Sequence, residues 1–100
     1  MKRECPTCAL IEAQLREVAR AVPEFRAVSQ DDPQFPAGVR VIDDRELDVS
    51  WSNNIEFTPT LIRYASGRET ERTVGWDKQA WQRLTGMKDL GSDLPAFSPG

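Results

Sequence analysis

The sequence predicts one α/β domain in which helices flank a mixed sheet. A chain of 100 residues fits a single small domain. Apolar residues recur at helical spacing in residues 7–22 and again in residues 77–86, and short strand candidates lie between these segments. Two of the strand candidates are joined by Ser66-Gly67, a hairpin turn signal that makes them antiparallel, whereas strands separated by a helix can be parallel.

Composition excludes several classes of function. The net charge is −3 and the charged residues are interspersed, so we expect no nucleic-acid partner. Histidine is absent, which removes Cys-His nucleophile pairs and histidine metal ligands. No apolar run approaches membrane-spanning length, and residues 1–5 are too short for a signal peptide. We therefore expect a cytoplasmic protein without membrane contact, where a cysteine pair is more often catalytic or metal-binding than structural.

The only two cysteines lie in Cys5-Pro6-Thr7-Cys8, at the start of the first predicted helix. Residues 7–22 predict a continuous amphipathic helix. Cys5 would cap its N-terminus and Pro6 would take the first helical position, where a missing N–H costs nothing. Both sulfurs would lie in the first turn, close enough to form a disulfide. The unpaired N–H groups and the helix dipole would favour the thiolate of Cys5.

The middle of the chain predicts two short strands and a helix. Residues 25–30 and 39–42 are strand candidates, separated by a loop over residues 31–38 that contains two prolines and a glycine. Asp43 and Asp44 supply a helix N-cap. The helix is expected to end near Asn54 and to present one face formed by Leu47, Trp51 and Ile55.

The last part of the chain predicts a hairpin and a final helix. Residues 57–65 form a strand that begins near Pro59, and residues 68–74 form a polar edge strand that Gly75 ends. Asp77 caps the last helix, which Gly86 closes. Its predicted inward-facing residues are Ala80, Trp81 and Leu84.

Residues 87–100 show no periodicity. They contain two prolines and several small residues near their end. We therefore divide the chain into a domain over residues 1–86 and a tail or linker over residues 87–100.

Three features together resemble the thioredoxin-like family. They are the CxxC motif at the start of an amphipathic helix, Thr58-Pro59-Thr60 before a strand, and Gly75 after the next strand. The second is similar to the family's cis-proline loop. The additional loop and strand over residues 31–43 resemble the branch of thiol-disulfide reductases that carries an insertion there. The resemblance covers residues 1–86 and implies a thioredoxin-like mixed sheet flanked by helices.

The sequence departs from the family pattern before Cys5. The family places a central strand, which carries a buried acid, directly before the first cysteine, whereas only Met1 to Glu4 precede Cys5 here. The usual strand before the CxxC helix is thus lacking. We expect either that the chain is a truncated version of a longer protein or that another segment fills the centre of the sheet. A sheet without its central strand leaves backbone groups unpaired, so marginal stability or oligomerisation through open strand edges would follow.

Cys5 is the predicted nucleophile and Cys8 the resolving thiol. Lys2 and Arg3 lie nearby in sequence and would favour the Cys5 thiolate, whereas Glu4 would oppose it. Two other interpretations stay open. The pair could be a static disulfide or two inert thiols, or it could be half of a zinc site, although the chain has no histidine or further cysteine to complete one.

The resemblance implies a substrate groove beside the cysteines. Pro59 would follow a cis peptide bond, and Thr58 would offer its backbone to an incoming polypeptide. The alternative is an ordinary trans proline at the start of an edge strand. The other predicted substrate-binding residues are Pro6, Thr7, Gly75 and Trp76.

The remaining tryptophans and the acidic pairs have simpler interpretations. Trp51 and Trp81 fall on predicted inward helical positions and are expected in the core, which is also the alternative for Trp76. Asp31-Asp32 and Asp43-Asp44 are interpreted as turn and cap residues rather than as metal ligands.

The predicted function is thiol-disulfide exchange with disulfide-containing protein or small-molecule substrates. It requires no bound cofactor, and an external reductase or thiol pool would supply the electrons. The alternative is a catalytically weak binding or redox-sensing module of a larger protein. Reductants, oxidants and isomerases share the CxxC motif, so the residues leave the direction of electron flow open.

Overall fold

Four helices and six short strands form the α/β fold of the protein. The computed structural model describes residues 1–100. The helices are α1 (Pro6–Leu10), α2 (Glu12–Ala21), α3 (Asp48–Ser52) and α4 (Lys78–Thr85). The strands are β1 (Ala27–Ser29), β2 (Val41–Asp43), β3 (Thr60–Ala65), β4 (Arg68–Val74), β5 (Trp76–Asp77) and β6 (Phe97–Ser98). None of the helices is long and apolar enough to cross a membrane.

The helix predicted over residues 7–22 is two helices in the structure. α1 ends at Leu10 and α2 begins at Glu12, and Ile11 between them has φ −100° and ψ 12°. The hydrogen bonds continue across the bend, because the Ile11 carbonyl accepts the N–H of Leu15 at 3.0 Å. Ile11 is fully buried, so packing rather than helix propensity decides the backbone conformation at this position.

One apolar core joins the helices to the C-terminal part of the chain. Its side chains are Ile11, Leu15, Val18, Trp76, Trp81 and Leu90. The rings of Trp76 and Trp81 lie 5.4 Å apart with 48° between their planes, a tilted arrangement that is favourable for aromatic pairs. α4 confirms the prediction made for it: Asp77 caps it by accepting the N–H of Ala80 at 3.2 Å, and Gly86 ends it with φ 72°.

The strands form three separate two-stranded sheets, which corrects the single mixed sheet expected from the sequence. β1 and β2 are parallel, β3 and β4 are an antiparallel hairpin, and β5 and β6 are antiparallel. β1 and β3 do not pair. Residues of both line a largely apolar cleft of about 710 Å³. Residues 1–5, which precede α1, form no strand.

Met1 pairs with the edge of β1 that β2 does not use. Its amino group donates to the Val28 carbonyl at 2.8 Å, and the Gln30 N–H donates to the Met1 carbonyl at 2.8 Å. Burial lowers the pKa of the Met1 amino group. These two bonds hold the residues before Cys5 beside β1, and so they position the start of α1.

α3 confirms one prediction and corrects another. Asp44 is buried and accepts the N–H groups of Val49 and Ser50 at 2.9 Å each, so it satisfies donors in the first turn of α3 as expected, but the N-cap position itself is occupied by Leu47 and not by Asp43 or Asp44. Trp51, however, is 85% exposed, so the prediction that it belongs to the core is wrong. The reason is that α3 has only five residues and follows Leu47 in the left-handed conformation, so the predicted apolar face does not form.

Residues 87–100 pack against α4 and β5. Leu90 is buried, and its carbonyl accepts a hydrogen bond from Gln82 at 2.9 Å. The indole N–H of Trp76 donates to the Pro95 carbonyl at 2.8 Å, and β6 pairs with β5. Gly91 lies against the Trp76 ring so closely that a Cβ atom there would overlap it. The segment is thus tied to the core although its sequence has no periodicity.

Candidate functional site at Cys5 and Cys8

The two cysteines lie in the first turn of α1, as predicted. Both are free thiols in this structure. The Cys5 sulfur accepts the N–H of Cys8 at 3.3 Å and so caps the helix, and Pro6 occupies the first helical position. Cys5 is partly accessible to solvent, whereas Cys8 is fully buried. A reagent from solvent can therefore reach Cys5 but not Cys8.

The loop at Pro59 lies beside Cys5. The Thr58–Pro59 peptide bond is cis, which confirms the sequence prediction. The Cys5 thiol donates to the Thr58 carbonyl at a sulfur–oxygen distance of 3.4 Å. The Pro59 carbonyl in turn accepts the N–H of Gly75 at 2.7 Å. The fold thus brings together residues from three distant parts of the chain.

The two thiols have opposite pKa shifts. Burial alone would raise the pKa of Cys5, but hydrogen bonds from the side chain and backbone of Cys8, from the side chain of Thr58 and from the backbone of Thr7 outweigh it and lower this pKa below its ordinary value of 9.0. Burial raises the pKa of Cys8 to about 12, and the hydrogen bond and charge of Cys5 act in the same direction. The accessible thiol is therefore also the one that ionises more readily, as a nucleophile requires.

Arg3 does not serve the thiolate as the sequence suggested. Its guanidinium pairs with Asp32 at 2.7 Å on the surface. The neighbouring Asp31 accepts the backbone N–H groups of Arg3 and Glu4 at 2.8 and 3.1 Å. These bonds fix the turn before Cys5, so Asp31 acts on the backbone and the Arg3 guanidinium pairs with Asp32 and not with the sulfur.

Gly75 and Trp76 occupy different environments. Gly75 has φ +75°, and a Cβ atom there would lie 2.9 Å from the Ser98 carbonyl, so the position requires glycine. Its carbonyl accepts the indole N–H of Trp81 at 3.0 Å. Trp76 is fully buried against Trp81, so its ring contacts the core and does not face a groove.

Three residues that the sequence analysis did not single out complete the site. Ser98 lies within hydrogen-bond distance of the Thr7 hydroxyl, at 2.8 Å, and the same hydroxyl donates to the Pro99 carbonyl. Gly100 lies against the Thr58 carbonyl, where a Cβ atom would overlap it. Only a weak feature of the sequence indicated that residues 87–100 belong to the domain. Leu90 and Leu94 are apolar and four residues apart, which indicates that this segment packs against the rest of the protein.

The acidic pairs have backbone and ion-pair partners of their own. Asp44 accepts N–H groups in the first turn of α3, and Asp43 forms a two-pronged ion pair with Arg45, with a shortest distance of 2.7 Å. No group of three or more cysteine, aspartate or glutamate side chains converges in a way that could hold a metal ion. The chemistry available at this site is that of the two sulfurs.

Comparison with known proteins does not identify a family. No family model, no curated protein and no solved structure matches the chain.

Proposed function

We propose that the protein is a thioredoxin-like thiol-disulfide oxidoreductase. The observation that carries the proposal is the 3.4 Å contact between the Cys5 sulfur and the carbonyl of Thr58, the residue before the cis proline. These residues are 53 positions apart in the chain, so local sequence does not bring them together. An accessible thiol with a lowered pKa, next to a buried thiol, is the arrangement that disulfide exchange requires.

The proposed reaction transfers two electrons from the protein to a disulfide substrate. The Cys5 thiolate attacks one sulfur of the substrate, which breaks the substrate S–S bond and forms a mixed disulfide, and the other substrate sulfur leaves as a thiolate. Cys8 then attacks the Cys5 sulfur, which releases the second substrate thiolate and leaves a Cys5–Cys8 disulfide. The protons of the two protein thiols end on the two substrate thiols. An external reductase or thiol pool restores the dithiol.

The high pKa of Cys8 suits the order of these two steps. Before attack, burial and the neighbouring Cys5 keep Cys8 protonated, so it does not compete as a nucleophile. Once Cys5 is part of a mixed disulfide, it no longer carries negative charge. The contribution of that charge to the pKa of Cys8 is then lost, and Cys8 ionises more readily when it is needed to resolve the intermediate.

The Pro59 loop is the proposed substrate-positioning element. Thr58 and Pro59 are buried, but the Thr58 carbonyl faces the Cys5 sulfur. A polypeptide that presents its disulfide to Cys5 would therefore run past Thr58 and Thr7. The proposed partners are disulfide-containing proteins or small disulfides.

Disulfide reduction with insulin as substrate and dithiothreitol as electron donor tests the proposal. The wild-type protein should accelerate insulin reduction, and Cys5→Ser should lower the rate to that of dithiothreitol alone. The matched variant Cys8→Ser keeps the nucleophile, so it should accumulate a mixed disulfide that mass spectrometry detects on Cys5. Equal acceleration by wild type and Cys5→Ser would overturn the mechanism. No acceleration by wild type would favour a binding or redox-sensing module.

A further inference from the structure

We propose that residues 97–100, called the strap below, are an autoinhibitory segment that occupies the substrate groove and must leave it before a substrate polypeptide reaches Cys5. This inference rests on the proposed function and adds a regulatory element to it. The strap contacts each of the three walls that the fold places around the site, namely the CxxC helix, the Pro59 loop and Gly75.

The beginning of the strap is anchored to the domain. Phe97 and Ser98 form β6, which pairs antiparallel with Trp76 and Asp77. Directly before it, the Ala96 carbonyl accepts the N–H of Lys78 at 2.9 Å. These backbone bonds hold the strap at the edge of β5 and direct its last residues toward the cysteines.

The end of the strap contacts the residues that would form the proposed groove. The Thr7 hydroxyl, inside the CxxC motif, contacts the Ser98 hydroxyl at 2.8 Å and donates to the Pro99 carbonyl. The Ser98 carbonyl approaches Gly75 so closely that any side chain there would collide with it. Gly100 touches the Thr58 carbonyl, the same oxygen that accepts a hydrogen bond from Cys5.

The strap is held in a way that permits release. Pro99 and Gly100 are exposed. Neither residue forms an ion pair, and β6 spans only two residues. Segments with few buried contacts open at low free-energy cost, whereas the anchor at Trp76 belongs to the core and stays in place.

Alkylation of Cys5 tests the strap without requiring any enzymatic activity. We compare wild type with a variant that lacks Pro99 and Gly100 and with Ser98→Ala, which removes the hydroxyl contact to Thr7. Ser92→Ala is the matched control, because Ser92 is an exposed serine in the same C-terminal segment and its side chain forms no hydrogen bond. Each protein is reacted at several pH values with iodoacetamide and with a bulky polymer-linked maleimide.

Release of the strap should raise the reaction rate of Cys5 several-fold in the deletion variant and less in Ser98→Ala, with a larger effect for the bulky reagent. Ser92→Ala should react like wild type. The fluorescence of the buried Trp76 and Trp81 reports whether each variant is folded, and Ser98→Ala keeps the test valid if the deletion variant unfolds. Equal rates in wild type and in every folded variant would overturn the proposal.

Insulin reduction by the same proteins separates the two proposals. If the deletion variant is alkylated faster but no protein reduces insulin, the proposed function is overturned and the proposal about the strap stands. Insulin reduction that the deletion leaves unchanged would overturn the strap and keep the proposed function.

Discussion

Cys5 and Cys8 lie one helical turn apart, yet the fold gives these two thiols opposite environments. Cys5 sits at the cap of α1, in partial contact with solvent, and hydrogen bonds lower its pKa despite its burial. Cys8 points into the protein, has no accessible surface, and has its pKa raised to about 12. The difference shows that a separation of three residues is enough to give two identical groups different accessibility and opposite pKa shifts.

The strongest test of this comparison is the relative reactivity of the two thiols. The pKa of Cys5 lies below 9.0 and that of Cys8 is about 12, so the fraction of Cys5 present as thiolate at neutral pH is at least about a thousandfold larger than that of Cys8. The more basic Cys8 thiolate is the stronger nucleophile, and this offsets at most about half of the difference in thiolate fraction on a logarithmic scale. At pH 7 we therefore expect Cys5 to react with iodoacetamide at least about 30-fold faster than Cys8.

Peptide mapping by mass spectrometry after timed alkylation measures this ratio. The control is the protein denatured in urea, in which both cysteines should react at similar rates. Similar rates for the two thiols in the folded protein would contradict the comparison.

A second prediction tests whether Cys8 lowers the pKa of Cys5. In wild type, the alkylation rate of Cys5 should rise with pH and reach half its maximum below pH 9.0, because only the thiolate reacts. Cys8→Ala removes the hydrogen bond from the Cys8 side chain and should therefore move this midpoint to higher pH. Alkylation at pH 7 should then slow by up to about tenfold if the midpoint rises by about one pH unit.

Cys8→Ser is the matched variant for this experiment. It keeps a hydrogen-bond donor of similar size, so its pH profile should stay closer to that of wild type than the profile of Cys8→Ala. If the two variants give the same midpoint as wild type, Cys8 does not tune Cys5.

A third prediction concerns the pH dependence of stability. The pKa of Cys8 is raised from 9.0 in the unfolded chain to about 12 in the folded protein, so folding favours its protonated form. Its contribution to stability is fully present below pH 9 and is lost as the pH rises from 9 toward 12. The lowered pKa of Cys5 acts with the opposite sign, since folding favours its thiolate.

Single-cysteine variants isolate this contribution. In Cys5→Ser, Cys8 is the only cysteine that titrates, so the urea midpoint of this variant should fall between pH 8 and pH 11 more than that of the variant with both cysteines replaced by serine, in which all other titrating groups are the same. If the urea midpoints of the two variants change with pH in the same way, the environment of Cys8 in the folded protein does not favour the thiol.

Short-range patterns predicted the local parts of the site. Cys5 with Pro6 begins a helix because a capping group followed by proline suits the first turn, whatever the rest of the chain does. Ser66 and Gly67 close the β3–β4 hairpin with φ of 53° and 76°. Asp77 and Gly86 bound α4 for similar reasons. In each of these cases, residues within one turn of each other are enough to predict where the helix or hairpin turn begins or ends.

Long-range packing decided the rest. The bend at Ile11 and the burial of Trp76 both depend on which distant surfaces meet. Long-range packing also decides that β1 and β3 do not pair. Whether two strands pair depends on how closely the rest of the fold brings them together and not on the residues of either strand alone, and here a cleft lies between them.

By itself, the sequence determined that two thiols open a helix and that a Thr-Pro step precedes a strand. Only the tertiary structure decided that Thr58 faces Cys5, that Ser98 and Pro99 contact Thr7, and that Gly100 lies against Thr58. The physical reason is that these contacts join backbone carbonyls and small side chains between positions 42 to 92 residues apart. Such contacts leave no periodicity or composition signal in the segments that make them.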